Sequence, residues 1–140
     1  MIRKGTYILI FDMPDARISA GALGITDIRK GTYCYVGSAM NGLDQRVGRH
    51  LSEKKKIRWH IDHLTTRCVR IEAYEAVPPG TSECELGMIV LESGGSPAVK
   101  GFGCSDCGCP THLFLLDATA KEKLCSGPCF VPYCGCGVRG

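Results

Sequence analysis

Runs of apolar and β-branched residues, interrupted by turn residues, predict several β-strands. Residues 6–11 (TYILIF) are apolar almost throughout, which is typical of a buried strand. Residues 31–36 (GTYCYV) predict the next strand. Because side chains alternate along a strand, Tyr33 and Tyr35 lie on one face of it and Cys34 on the other.

Further elements follow from periodicity and turn chemistry. A short hairpin is predicted within residues 16–26, and residues 69–77 alternate as a half-buried strand does. Residues 112–116 (HLFLL) predict the last strand. Helices are predicted from Thr81 or Ser82, as the N-cap, to about residue 91, and again over residues 118–124.

The most informative helix is predicted over residues 43–54, after the turn at Asn41-Gly42. An apolar stripe recurs at every fourth position of this helix, at Leu43, Val47 and Leu51. Arg46 and His50 are also four residues apart, so they share a neighbouring face. One face can therefore pack while another presents a cation and an imidazole to a cleft.

These elements predict an α/β fold with a small, mainly antiparallel central sheet flanked by helices. The length of 140 residues indicates one domain. Residues 1–117 form this domain in our interpretation. Residues 118–140 form a Cys- and Gly-rich tail packed on it, which is irregular from residue 125 onwards.

Positive charge is concentrated in one part of the chain. The net charge is only +3, yet residues 46–70 hold eight basic and two acidic residues. Such an excess can face a polyanion, and a solvated helix end is the alternative. Contacts with nucleic acid are predicted at Arg49, Lys54, Lys55, Lys56 and Arg58.

The apolar pattern predicts a location away from membranes. No stretch approaches the roughly 18 apolar residues of a membrane helix, and the N-terminus lacks the pattern of a secretory signal. We therefore predict a cytoplasmic protein with no membrane partner.

Ten cysteines are unusual for a cytoplasmic chain of this length, and seven lie between residues 104 and 136. Cysteine and histidine at such spacing can bind structural Zn²⁺. Free buried thiols, disulfides and a place in an active cleft are the alternatives. The candidate ligands are Cys104, Cys107, Cys109, His112, Cys125, Cys129, Cys134 and Cys136.

Several short blocks, in this order along the chain, resemble the GIY-YIG nuclease superfamily over residues 3–117. They are similar to a branch of it that stands alone or is fused to endonuclease III-like DNA glycosylases. The blocks are Gly5-Thr6-Tyr7, Tyr35-Val36-Gly37, Gly42 to His50, Trp59-His60-Ile61-Asp62, Glu83-Cys84-Glu85-Leu86 and Gly103 to Phe114.

The resemblance implies catalytic roles for five residues. Either Tyr7 or Tyr35 is implied as the general base or as the group that orients the water. Arg46 is implied to hold phosphate oxygens, since a guanidinium can bind two oxygens at once and stays charged. His50 and His60 are implied to assist in the same cleft.

The resemblance also implies one catalytic metal ion, Mg²⁺ or Mn²⁺, held by a single glutamate and several waters. Glu83 and Glu85 are both candidates, and Glu83 fits the motif more closely. Mg²⁺ suits such a site because it often takes few protein ligands. The alternative is that both carboxylates only stabilise the start of a helix.

The resulting hypothesis is a metal-dependent endonuclease that hydrolyses DNA phosphodiester bonds in DNA repair, with possible association with repair glycosylases. The alternative is a non-catalytic nucleic-acid-binding module whose cysteines bind structural zinc or form disulfides. A cysteine-rich metal or redox protein would explain the tail but not residues 5–62.

Overall fold

The computed structural model describes residues 4–19, 24–39, 42–52, 61–78, 81–99, 102 and 111–133, and the backbone of residues 138–139. The elements along these residues are β1 (Gly5–Met13), β2 (Ala16–Ser19), β3 (Ile25–Ile28), β4 (Gly31–Ala39), α1 (Leu43–Leu51), α2 (Asp62–Thr65), β5 (Arg70–Ala76), α3 (Glu83–Glu92), β6 (Ser96–Pro97), β7 (Leu113–Leu116), α4 (Ala118–Ser126), β8 (Phe130–Pro132) and β9 (Val138–Arg139).

One main sheet runs in the order β6-β7-β4-β1-β5-β8, and β9 also pairs with β5. Every strand pairing among the described residues is antiparallel. The prediction of an α/β fold around a mainly antiparallel sheet is therefore confirmed.

Helices cover both faces of this sheet. Alternate residues of β1 point to opposite sides, so Tyr7 and Leu9 join one buried cluster while Ile8 and Ile10 join another. The first core cluster includes residues of α1 and α2, and the second includes residues of α3 and α4. Coverage on both sides explains why β1 is apolar on both faces.

The register between β1 and β4 places the two motif tyrosines. Tyr7 lies opposite Gly37, and Leu9 lies opposite Tyr35. Tyr7 and Tyr35 are therefore diagonal neighbours on the side of the sheet that α1 covers.

Most predicted elements are confirmed, with shifted ends. The hairpin within residues 16–26 is formed by β2 and β3 and extends to residue 28. Helix α1 ends at Leu51, because the backbone at Ser52 is extended. Ser82 is the N-cap of α3, and its Oγ accepts a hydrogen bond of 3.1 Å from the amide of Glu85.

The prediction that the chain is irregular from residue 125 is wrong. Helix α4 continues to Ser126, and β8 and β9 pair with successive parts of β5. Strands this short carry no readable alternation of apolar and polar residues. They form because the edge of β5 offers unpaired backbone groups.

Among the described residues, no helix combines the length and the apolar character that a bilayer crossing requires.

Candidate active site

Polar side chains meet at one end of the sheet, where β1 begins and β4 ends. Tyr7, near the start of β1, is only 1% exposed. Its ring can reach this depth because Gly37 lies opposite it. A Cβ atom at position 37 would lie 2.5 Å from both Oη and Cζ of Tyr7.

Gly37→Ala is therefore expected to displace the Tyr7 phenol and to lower the free energy of unfolding by about 1–3 kcal/mol. Urea denaturation measures this change. Gly48→Ala is the matched control, because among the described residues no atom outside the adjoining backbone of α1 lies within 4 Å of its Cβ position. Equal stability of the Gly37→Ala and Gly48→Ala proteins would show that the Tyr7 ring can accommodate the extra methyl group, and it would contradict this expectation.

Helix α1 brings Arg46 and His50 to the same tyrosine. The Tyr7 hydroxyl lies 2.8 Å from Nε2 of His50, which is itself 1% exposed. The Arg46 guanidinium is near enough to the Tyr7 hydroxyl to lower its pKa, and its Nη1 donates to the Ser38 carbonyl at 3.1 Å.

The direction of the Tyr7–His50 hydrogen bond depends on the tautomer of the imidazole. A guanidinium can only donate, so a phenol oxygen that faces Arg46 accepts there with one lone pair and keeps the other. With the imidazole proton on Nδ1, the phenol donates to Nε2 of His50. In that tautomer His50 is placed to receive a proton from Tyr7.

The neighbours of Tyr7 shift its pKa in opposite directions. Burial raises its pKa well above the usual value of 10.0, and the nearby Tyr35 and Glu83 add to this rise. The Arg46 guanidinium lowers the same pKa through its charge and its hydrogen bond. Tyr7 is therefore protonated at neutral pH, and Arg46 is the group that favours its ionised form.

Tyr35 lies beside this pair. Its ring centroid is 6.2 Å from that of His50 and 6.2 Å from that of Phe102, both in edge-on geometry. Tyr35 is half-buried. Both motif tyrosines therefore lie against His50, Tyr7 through its hydroxyl and Tyr35 through its ring.

Glu83 reaches the site from α3, on the other side of the sheet. Its Oε1 accepts a short hydrogen bond from the Ser38 hydroxyl. Its Oε2 lies 3.1 Å from Nδ1 of the buried His112, an ion pair when the imidazole is protonated.

Ser38 contacts residues from both sides of the sheet, and the sequence did not predict its place in the site. Its carbonyl accepts from Arg46, and its hydroxyl donates to Glu83. The only signal in the sequence was a polar residue directly after the Tyr35-Val36-Gly37 block.

The structure separates the two candidate metal ligands. Glu83 is 30% exposed and lies in the polar cluster, whereas Glu85 is exposed. Residues two positions apart point to different sides of a helix. The geometry therefore favours Glu83 as the ligand.

One carboxylate is compatible with Mg²⁺ or Mn²⁺ here. A carboxylate offers about four acceptor positions, and two of those on Glu83 face Ser38 and His112. Mg²⁺ commonly takes one or two carboxylates and completes its shell with water. In the described part of the chain, no group of three or more His, Cys, Asp or Glu residues could hold a metal ion.

Arg49 makes an ion pair inside the protein. Its Nη1 and Nη2 donate to Oδ1 and Oδ2 of Asp62 at 2.7 and 2.9 Å. The Asp62 side chain is 0% exposed and that of Arg49 is 21% exposed. This contact ties the end of α1 to α2, and it supplies the structural role of Asp62 that sequence reasoning missed.

The remaining predicted residues divide into two groups. Cys125 and Cys129 are partly buried free thiols that pack against the second core cluster. Cys125 donates to the Tyr74 hydroxyl at 3.3 Å. The residues outside the described part are Lys54, Lys55, Lys56, Arg58, His60, Cys104, Cys107, Cys109, Cys134 and Cys136.

Comparison with known proteins changes the family assignment. The sequence model of a domain of unknown function, DUF123, matches residues 6–130. No GIY-YIG family matches, so the assignment of the chain to the GIY-YIG superfamily is wrong. No curated protein and no solved structure shows significant similarity to the chain.

Proposed function

Because the chain belongs to the DUF123 family, which is uncharacterised, its function must be inferred from the site, and we propose a metal-dependent endonuclease that hydrolyses DNA phosphodiester bonds. The observation that carries this proposal is the Tyr7 phenol. Its hydroxyl lies 2.8 Å from Nε2 of the buried His50, and the nearby Arg46 guanidinium lowers its pKa.

The proton path supports hydrolysis. Tyr7 passes its proton to Nε2 of His50 and, in the same step, takes a proton from the attacking water. A phenol of raised pKa is a poor base alone, but the neighbouring imidazole removes the need for a free phenolate. His50 therefore serves as the final proton acceptor.

Arg46 supplies the positive charge that phosphoryl transfer requires. In the proposed reaction its guanidinium faces the phosphate oxygens, on which negative charge increases in the transition state. Its bond to the Ser38 carbonyl holds the side chain in place before the substrate arrives. Such preorganisation lowers the reorganisation needed during the reaction.

Glu83 is the residue that would hold Mg²⁺ or Mn²⁺. When bound, the metal would polarise the phosphate and stabilise the leaving oxygen. Ser38 and His112 hold the two carboxylate oxygens in a fixed orientation, as outer partners of a metal ligand commonly do.

DNA as the substrate, its processing during repair and a cytoplasmic location are parts of the same proposal. They rest on the basic residues between positions 46 and 70 and on the free thiols among the described cysteines. A structural Zn²⁺ site in the Cys-rich extension stays a prediction from the sequence. Association with repair glycosylases stays a prediction as well.

Tyr7→Phe tests the proposal, because it removes only the hydroxyl that contacts His50 and Arg46. We expect duplex, branched or nicked DNA to be cleaved with Mg²⁺ or Mn²⁺, and the variant to cleave roughly 10²- to 10⁴-fold more slowly. Tyr33→Phe is the matched control. The Tyr33 hydroxyl donates to the Arg29 carbonyl at 2.7 Å, at the opposite end of β4.

Unchanged cleavage by the Tyr7→Phe protein would contradict the proposed proton path. An inactive wild-type protein that still binds DNA in a salt-sensitive manner would instead support the non-catalytic binding module.

A further inference from the structure

Helix α1 carries two residues of the proposed site, and its first turn lacks a side-chain cap. Its N-cap is Gly42, which has a φ of 147° and provides no side-chain cap. The helix is only nine residues long and contains Gly48. A helix this short depends on tertiary contacts for its position.

Tyr133 provides such a contact from a distant part of the chain. Its hydroxyl donates to Oδ1 of Asp44, in the first turn of α1, at 2.7 Å. The acceptor is a carboxylate, and hydrogen bonds to ionised groups are stronger than those between neutral groups.

Tyr133 is itself firmly held. Its amide donates to the Ala73 carbonyl of β5 at 3.0 Å, and its ring lies in the first core cluster with 9% exposure. Strand β5 pairs directly with β1, which carries Tyr7. The contact with Asp44 therefore connects the first turn of α1 to the strand pair that supports Tyr7.

We propose that Tyr133 is a positioning residue that holds Arg46 against Tyr7 by anchoring Asp44, two residues before Arg46 in the same helical turn. Its position lies beyond the family match, which ends at residue 130. The segment after that match would thus complete the site. The inference of an effect on catalysis rests on the proposed nuclease function, whereas the effect on the position of Arg46 does not.

The test uses two single variants that remove the contact and one that keeps it. Tyr133→Phe removes the donor and Asp44→Ala removes the acceptor, whereas Asp44→Asn keeps an oxygen that accepts from the phenol. Tyr33→Phe, which loses a hydroxyl at the other end of the sheet, is the control.

Two quantities are measured on each protein. The first is the NMR chemical shift of the Arg46 Nε–Hε group, assigned with Arg46→Lys, which reports the surroundings of the guanidinium without any reaction. The second is the rate of DNA cleavage, separated into kcat and KM.

We expect Tyr133→Phe and Asp44→Ala to shift the Arg46 resonance and to lower kcat by about tenfold at unchanged KM, because small misplacements of a reacting group slow catalysis strongly. The double variant should lose no more than either single variant, since both remove one contact. Asp44→Asn and Tyr33→Phe should resemble the wild type.

An unchanged Arg46 resonance in the Tyr133→Phe and Asp44→Ala proteins would overturn the inference, whatever the cleavage rates. Additive losses in the double variant would overturn it too. If the Arg46 resonance shifts in the Tyr133→Phe and Asp44→Ala proteins while the wild-type protein cleaves no DNA, the positioning role is supported and the nuclease function is refuted, so the two failures are distinguishable.

Discussion

Replacing Arg46 with alanine is expected to lower the rate of DNA cleavage about 10³-fold, the usual effect of removing a preorganised group that stabilises transition-state charge. Arg46 makes two contributions to the proposed reaction, and the substitution removes both. Its charge faces the phosphate in the proposed reaction, and its hydrogen bond favours the ionised form of Tyr7. Initial rates with Mg²⁺, at saturating DNA, measure the loss.

Arg46→Lys separates these contributions. Lysine keeps the positive charge but lacks the planar fork that lets arginine reach two partners at once. The Arg46 side chain contacts both the Ser38 carbonyl and the Tyr7 hydroxyl. We therefore expect the lysine variant to retain only part of the activity, between the alanine variant and the wild type.

Arg17→Ala is the control for a general loss of positive charge. Arg17 is 73% exposed and pairs with Asp27 on the β2–β3 hairpin. Its removal changes the net charge equally, so cleavage should be unaffected. If both arginine variants lost activity alike, the effect would come from charge in general and the role of Arg46 would be refuted.

Replacing Asp62 with alanine is expected to lower the free energy of unfolding by about 3–5 kcal/mol, the usual cost of removing one partner of a buried ion pair. The substitution removes the two hydrogen bonds that the largely buried Arg49 guanidinium donates to Asp62. Urea denaturation followed by circular dichroism measures the change.

Asp27→Ala is the matched control, because it breaks another arginine–aspartate pair that is exposed on both sides. Exposed pairs contribute little to stability, so no measurable change is expected. Replacing both partners of the buried pair, in Arg49→Met with Asp62→Leu, should recover most of the lost stability. Equal effects of Asp62→Ala and Asp27→Ala would show that the Arg49–Asp62 pair is not the structural contact assigned to it.

Several parts of the fold could be predicted from the sequence because they depend on local chemistry. The apolar run around Ile8 predicts a buried strand, and the spacing of Leu43 and Val47 predicts the buried side of α1. Ser82 is recognisable as an N-cap because its hydroxyl satisfies an amide three residues later.

Other parts depend on residues that are distant in sequence, and no local pattern contains them. The pairing of β8 and β9 with β5 is one example, because it depends on an available sheet edge. The contact between Tyr133 and Asp44 is another example, because it forms only when β8, which directly precedes Tyr133, has paired with β5. The assignment to the GIY-YIG superfamily is wrong, and its Tyr/Gly blocks consist of residues that strands and turns favour in general.

The sequence by itself determined which side chains could do chemistry: the helical spacing of Arg46 and His50 and the tyrosines on two strands followed from periodicity. Only the tertiary structure decided how they are placed relative to one another. The register of β1 on β4 sets Tyr7 against Gly37, and helices from both faces bring Arg46 and Glu83 to Ser38. The burial of Tyr7 and its contact with His50, on which its pKa and its proton exchange depend, exist only once these distant segments have packed together.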